Sequence, residues 1–187
     1  MVPWIILGVV LFIGMIGVFW MIGSYNGLVK SRNETKNGWA QIDVQLKRRH
    51  DLIPNLIETV RGFATHERQT LENVIQARNQ AMGAGNVGDR IKAEAALGGA
   101  LGRLMVVCEQ YPDLKANANF LALQEELTST ENKISFSRQF YNDCVMQYNT
   151  RIESFPSNVV AGMFQFKPGE HFQLASEAER EVPRVKF

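Results

Sequence analysis

Trp39-Ala40-Gln41-Ile42-Asp43-Val44-Gln45-Leu46-Lys47-Arg48-Arg49-His50-Asp51-Leu52-Ile53-Pro54-Asn55-Leu56 is the stretch that decides the fold. Trp39, Ile42, Leu46, Ile53 and Leu56 are spaced three, four or seven apart, and Val60 and Phe63 extend the series. On a helix of ~3.6 residues per turn these positions fall on one stripe. So long a stripe is a seam for helices packed at shallow angles. Arg49 takes the slot between Leu46 and Ile53, so a cation stands in the packing row.

Pro54 interrupts this segment. Proline removes a backbone donor and costs ~3 kcal/mol in a helix interior. The seam keeps register across it, and no glycine or polar turn cluster flanks it. A kink is expected, within a helix running from about Tyr25 to Met82, with Val74 and Ala77 continuing the seam. A reversal at Pro54, with Asp51 as cap and Pro54 in the first turn, is the alternative.

Downstream, Gly83-Ala84-Gly85-Asn86-Val87-Gly88 breaks the pattern. A second helix starts at Asp89, whose charge suits a helix N-terminus. Its small residues Ala95, Ala96, Gly98, Gly99, Ala100 and Gly102 are expected to admit a close neighbouring helix. Tyr111-Pro112-Asp113 ends it. A third helix spans about Asn117 to Phe155, on a seam of Phe120, Leu123, Leu127, Glu131, Ile134, Arg138, Tyr141, Val145, Tyr148, Ile152 and Phe155. Arg49, Glu131 and Arg138 are expected to face one core as a structural ion network, because a buried charge left unpaired costs several kcal/mol. After Pro156, the apolar Val159, Val160, Met163, Phe164, Phe166 and Phe172 are expected to dock on the bundle, meet another subunit or lie on lipid. The last dozen residues look extended.

Upstream, Trp4 to Ile22 contains no Asp, Glu, Lys or Arg. Twenty such residues at ~1.5 Å each cross a hydrocarbon core of ~30 Å. The N-terminus lacks the basic start and short apolar core of a cleaved signal, so an uncleaved anchor is expected. Lys30, Arg32, Lys36, Lys47, Arg48 and Arg49 all follow the apolar run and none precedes it. This bias puts the N-terminus outside and the body in the cytoplasm. The span has no GxxxG dimer motif.

The fold class is therefore all-α. An N-terminal transmembrane helix leads into an antiparallel, coiled-coil-like bundle of three long helices, or four if the chain reverses at Pro54. The expected organisation is an anchor over 1–24, a juxtamembrane helix over 25–38, a cytoplasmic bundle over 39–156 and an apolar, extended tail over 157–187.

The 187 residues carry a formal net charge of only +1, which gives no polyanion-binding signature, so no nucleic-acid partner is expected. Cys108 and Cys144 match no metal spacing and are expected to be free thiols. His66-Glu67 opens like a zinc-protease helix, but Thr70 stands where the second histidine is needed. There is no Walker loop, no GxSxG elbow and no carboxylate pair in an acid–base setting. No catalytic residue, metal ligand or cofactor site is expected.

Several blocks resemble the LemA family. They include Tyr25-Asn26-Gly27-Leu28-Val29-Lys30-Ser31-Arg32-Asn33, the opening stretch Trp39 to Leu56, His66-Glu67, Ala77-Arg78 and Tyr111-Pro112-Asp113-Leu114-Lys115-Ala116. Leu123-Gln124-Glu125-Glu126-Leu127, Glu131-Asn132-Lys133-Ile134, Arg138, Tyr141-Asn142 and Phe155-Pro156-Ser157-Asn158 continue the likeness over essentially the whole chain. The resemblance implies a bacterial single-pass membrane protein with an antiparallel helical-bundle cytoplasmic domain. It also implies kinship with a protein of the magnetosome membrane, and it carries no catalytic mechanism.

Two functions remain open. A first helix of about 58 residues, ~87 Å long, would outrun a third of about 39 residues, ~58 Å. Leu28, Trp39 and Ile42 would stay uncovered and, with Phe164 and Phe166, form an oligomer interface. The protein would then be a self-assembling, membrane-anchored scaffold with no catalytic activity, its partners being membrane lipid and further copies of itself. The alternative is a monomeric or small-oligomer adaptor for a membrane-protein partner, such as a membrane protease or sensor kinase.

Overall fold

The computed structural model describes residues 2–64 and 66–172. Among these, six helices and no strands occur: α1 Val2–Arg61, α2 Arg68–Gly83, α3 Val87–Cys108, α4 Pro112–Lys115, α5 Ala118–Glu153 and α6 Ser157–Met163. The expected all-α bundle is what forms. The extended end expected for the last dozen residues lies outside the described ones.

Pro54 lies inside α1, so the chain does not reverse there. Proline withdraws the N–H that would bond the carbonyl four residues back. That carbonyl, of His50, accepts a hydrogen bond from Arg78 Nε at 2.7 Å. A guanidinium from α2 thus satisfies the group that Pro54 orphans.

The expected helix from Tyr25 to Met82 is corrected. The chain leaves α1 after Arg61 and enters α2 at Arg68. Phe63 N and Ala64 N both donate to the Val60 carbonyl, at 3.0 and 2.9 Å, and Glu67 N donates to the Ala64 carbonyl at 3.2 Å. Ala64 is buried in this turn. The seam concealed the reversal because Val60 before it and Val74 after it feed the same core.

The described residues form two compact units, to each of which α1 and α5 contribute. One comprises 42–136 together with Phe172. In it the later part of α1, α2, α3 and the start of α5 surround a core that includes Ile53, Leu56, Val60, Val74, Leu97, Leu104, Leu114 and Phe120. Asn86 caps α3 by accepting from Asp89 N at 2.8 Å. Asn117 Oδ1 accepts from Asn119 N and Phe120 N, at 2.9 and 3.1 Å, and opens α5.

The other unit comprises 2–41 and 137–171. Here α1 and α5 run antiparallel: Trp39 meets Tyr141 edge to face at 5.4 Å, and Arg151 donates to the Gly27 carbonyl at 3.0 Å. Gly38 is the close-approach residue, since a Cβ there would lie 3.2 Å from the Tyr141 Cα. Asn149 and Gly169 exchange two hydrogen bonds, 2.8 and 3.0 Å long, that hold the segment after α6 against α5.

Two expectations about packing are corrected. Leu28 and Ile42 are not uncovered; they are 1% and 0% exposed. The early reversal leaves the part of α1 beyond the apolar run about as long as α5, so no ridge outruns its cover. Of the small residues of α3 expected to admit a neighbour, Ala100 is buried in the core but three glycines receive none. A Cβ at Gly98, Gly99 or Gly102 would meet nothing within 4 Å.

Candidate functional site

The densest chemistry among the described residues is a buried ionic cluster within 42–136. Arg49 Nη1 donates to Glu131 Oε2 at 2.6 Å, and Arg49 Nη2 pairs with Glu94 Oε2. The other oxygen of Glu94 lies 2.9 Å from His50 Nε2. Arg49, His50 and Glu94 are buried, while the Glu131 side chain reaches solvent. α1 presents Arg49 and His50, α3 presents Glu94 and α5 presents Glu131.

Burial acts to raise the Glu94 carboxyl, but the His50 hydrogen bond and the Arg49 and His50 charges outweigh it and hold the group below its ordinary range. One carboxylate oxygen is held by Arg49 and the other lies beside the His50 ring. Acid–base work on a ligand would first require breaking a pair in a low-dielectric interior, where unpaired charge is costly. The arrangement therefore suits register: only one axial alignment of α1, α3 and α5 brings the four groups together. Two further pairs in the same unit, Arg90 with Asp43 at 2.8 Å and Arg48 with Glu126, reinforce it.

The structure thus brings Arg49 and Glu131 together. Arg138 belongs to the other unit, where it is half-buried and has interactions of its own. Glu94 and His50 are the cluster members that sequence reading passed over. The signal was present for Glu94: it stands three residues after Ile91 and three before Leu97, in the apolar row of α3.

The residues expected to form an oligomer interface are engaged within the chain. Leu28 lies beneath Val160 and Ala161 of α6, with Met21, Ile152 and Phe166 around them. Trp39 is half-buried, Ile42 is in the interior, and the Tyr25 ring lies between Phe164 at 4.8 Å and Phe166 at 5.6 Å. Phe164 keeps an exposed face. Cys108 and Cys144 are free; burial, helped by Glu67, pushes the Cys108 thiol up to about 11. Glu67 accepts from the Tyr111 hydroxyl at 3.3 Å, so the His66-Glu67 phrase belongs to the turn before α2.

Residues 38–187, from the glycine seated on α5 to the C-terminus, match the LemA family. The chain belongs to the LemA family. Among curated members of this kinship, Protein LemA of Metamycoplasma hominis is 29% identical over 175 residues, covering 92% of this chain and 80% of that protein. Magnetosome protein MamQ 2 of Paramagnetospirillum magneticum is 26% identical over 80% of this chain and 64% of its own length. Magnetosome protein MamQ of Magnetospirillum gryphiswaldense is 24% identical over 79% and 64%. The chain thus spans somewhat less than two thirds of the MamQ proteins. As a LemA-family member it brings a helical bundle whose matched region begins after the apolar run.

Proposed function

We propose that this LemA-family protein is a single-pass, membrane-anchored adaptor whose helical bundle binds a membrane-protein partner without catalysing a reaction. One observation carries the anchor. Over residues 2–20 every side chain of α1 is exposed, whereas from Leu28 onward the apolar row of the same helix is covered. An apolar surface of that size needs an apolar solvent, and the bilayer is the one that fits its length. The proposed organisation keeps the anchor over 1–24, a juxtamembrane helix over 25–38, the bundle over 39–156 and the tail over 157–187. The basic residues after the span support a cytoplasmic body at the bacterial inner membrane.

The adaptor reading is favoured over self-assembly because the membrane-proximal ridge is completed within one chain. The buried pairing of Arg49 with Glu94, beside His50, supports a structural rather than catalytic use of the buried charges. Self-assembly into a scaffold is the second reading, and Phe136 favours it: this α5 side chain is 72% exposed, while Phe120 and Tyr141 of the same helix are buried.

Light scattering of the protein in mild detergent separates the two. A particle of one chain supports the adaptor; a defined multimer dispersed by Phe136→Ser supports the scaffold. Orientation needs an exposed thiol, because Cys108 is buried and Cys144 half-buried. Asn79→Cys should react with an impermeant maleimide only after the membrane is opened. Labelling of that position in intact spheroplasts would reverse the topology.

A further inference from the structure

The segment around α6 has two apolar faces, and α1 covers only one. Val160 and Ala161 are buried against Leu28, and Met21 packs beside them. On the other side Phe155, Val159, Met163 and Phe164 are 83%, 53%, 65% and 49% exposed. Phe155, Val159 and Met163 are spaced four apart, so α6 carries Val159 and Met163 on one stripe that Phe155 leads into. From Ser154 to Phe166 there is no charged side chain.

The position of this stripe names its occupant. Met21 belongs to the last turn of the apolar run that ends at Ile22, and Leu28 lies seven residues further, or ~10 Å along the helix. The polar layer outside the hydrocarbon is ~5–8 Å thick on each side of a bilayer. α6 touches both residues and therefore sits at the depth of the headgroups. Lys30, Arg32, Arg151 and Lys167 are exposed nearby in sequence or contact, and Arg32 stacks over Phe166 at 5.2 Å. Cations with an apolar edge beside them match anionic headgroups over acyl chains.

We propose that Phe155, Val159, Met163 and Phe164 form a second membrane contact, a peripheral wedge that enters the headgroup region of anionic lipid beside the anchor. This rests on the reading of Trp4–Ile22 as a membrane span. The contact fixes the rotation of α1 about its axis, because one side of the helix carries α6 down to the lipid.

The test uses the full chain in vesicles of phosphatidylglycerol and phosphatidylethanolamine, with Cys108→Ala and Cys144→Ser removing the native thiols. Nitroxide labels are placed singly at Val159→Cys, at Met163→Cys, at Phe12→Cys within the span and at Asn132→Cys on the bundle. Each label's relaxation by oxygen, which concentrates in lipid, is compared with that by a water-soluble nickel chelate. The oxygen-to-nickel ratio at Val159 and Met163 should be severalfold above that at Asn132 and below that at Phe12. A ratio at Val159 and Met163 equal to that at Asn132, with Phe12 deep, overturns the wedge and leaves the anchor standing. Labels at 159 and 163 shielded from both reagents would mean protein cover, which also overturns it. A water-like ratio at Phe12 would sink the anchor reading itself, and the wedge with it.

Discussion

At the residue scale, the unusual feature is a carboxylate, a guanidinium and an imidazole interlocked in an apolar interior. Removing one member of a buried ion pair costs about 3–5 kcal/mol, because it strands the other. Glu94→Ala is expected to lose that much stability in urea unfolding. Glu131→Ala should lose no more than about 1 kcal/mol, since water solvates that end of the cluster. Glu94 also sets a pH dependence. Its native carboxyl lies below its ordinary value of 4.5, so on acidification the unfolded chain takes up the proton first. The stability from its pairing is whole above that ordinary value and drains away as pH falls through the depressed native one. Unfolding midpoints followed down through the carboxylate range should drop more steeply for the native protein than for Glu94→Gln. Arg78 acts through the backbone. Arg78→Ala is expected to cost about 1–3 kcal/mol by leaving the His50 carbonyl unsatisfied. In a Pro54→Ala background the cost should shrink, because the substitution restores a backbone N–H that can bond that carbonyl. Equal costs in both backgrounds would refute the exchange.

At the scale of the elements, α3 and α1 use glycine in opposite ways. Gly98, Gly99 and Gly102 face open space, so they keep the entropic cost of glycine in a helix without a packing return. Replacing each by Ala should stabilise the protein by up to ~1 kcal/mol, seen as a raised thermal midpoint. Gly38 is seated on the α5 backbone at Tyr141, and a larger side chain must push α1 and α5 apart. Gly38→Leu is expected to cost about 1–3 kcal/mol and to disturb the Trp39–Tyr141 contact, readable in Trp fluorescence. Sequence pattern favoured the wrong glycines because a run of small residues marks where a helix can approach, not whether one does.

At the scale of the whole molecule, the apolar run and the rest of the chain answer to different solvents. Residues 2–20 are all exposed, so deleting them should yield a water-soluble chain of nearly native helicity and thermal midpoint. Insoluble or unfolded product would show that the run serves the fold itself. The sequence alone determined the all-α class, the membrane-length N-terminus, the ionic slots at Arg49 and Glu131 and the family. Each of these is written in local periodicity, composition or motif. Only the tertiary structure decided where the first helix ends, that Glu94 joins Glu131 on Arg49, and that Leu28 and Ile42 are covered. Those facts depend on contacts between residues far apart along the chain. A three-four spacing reads the same whether a helix continues or folds back onto its own core.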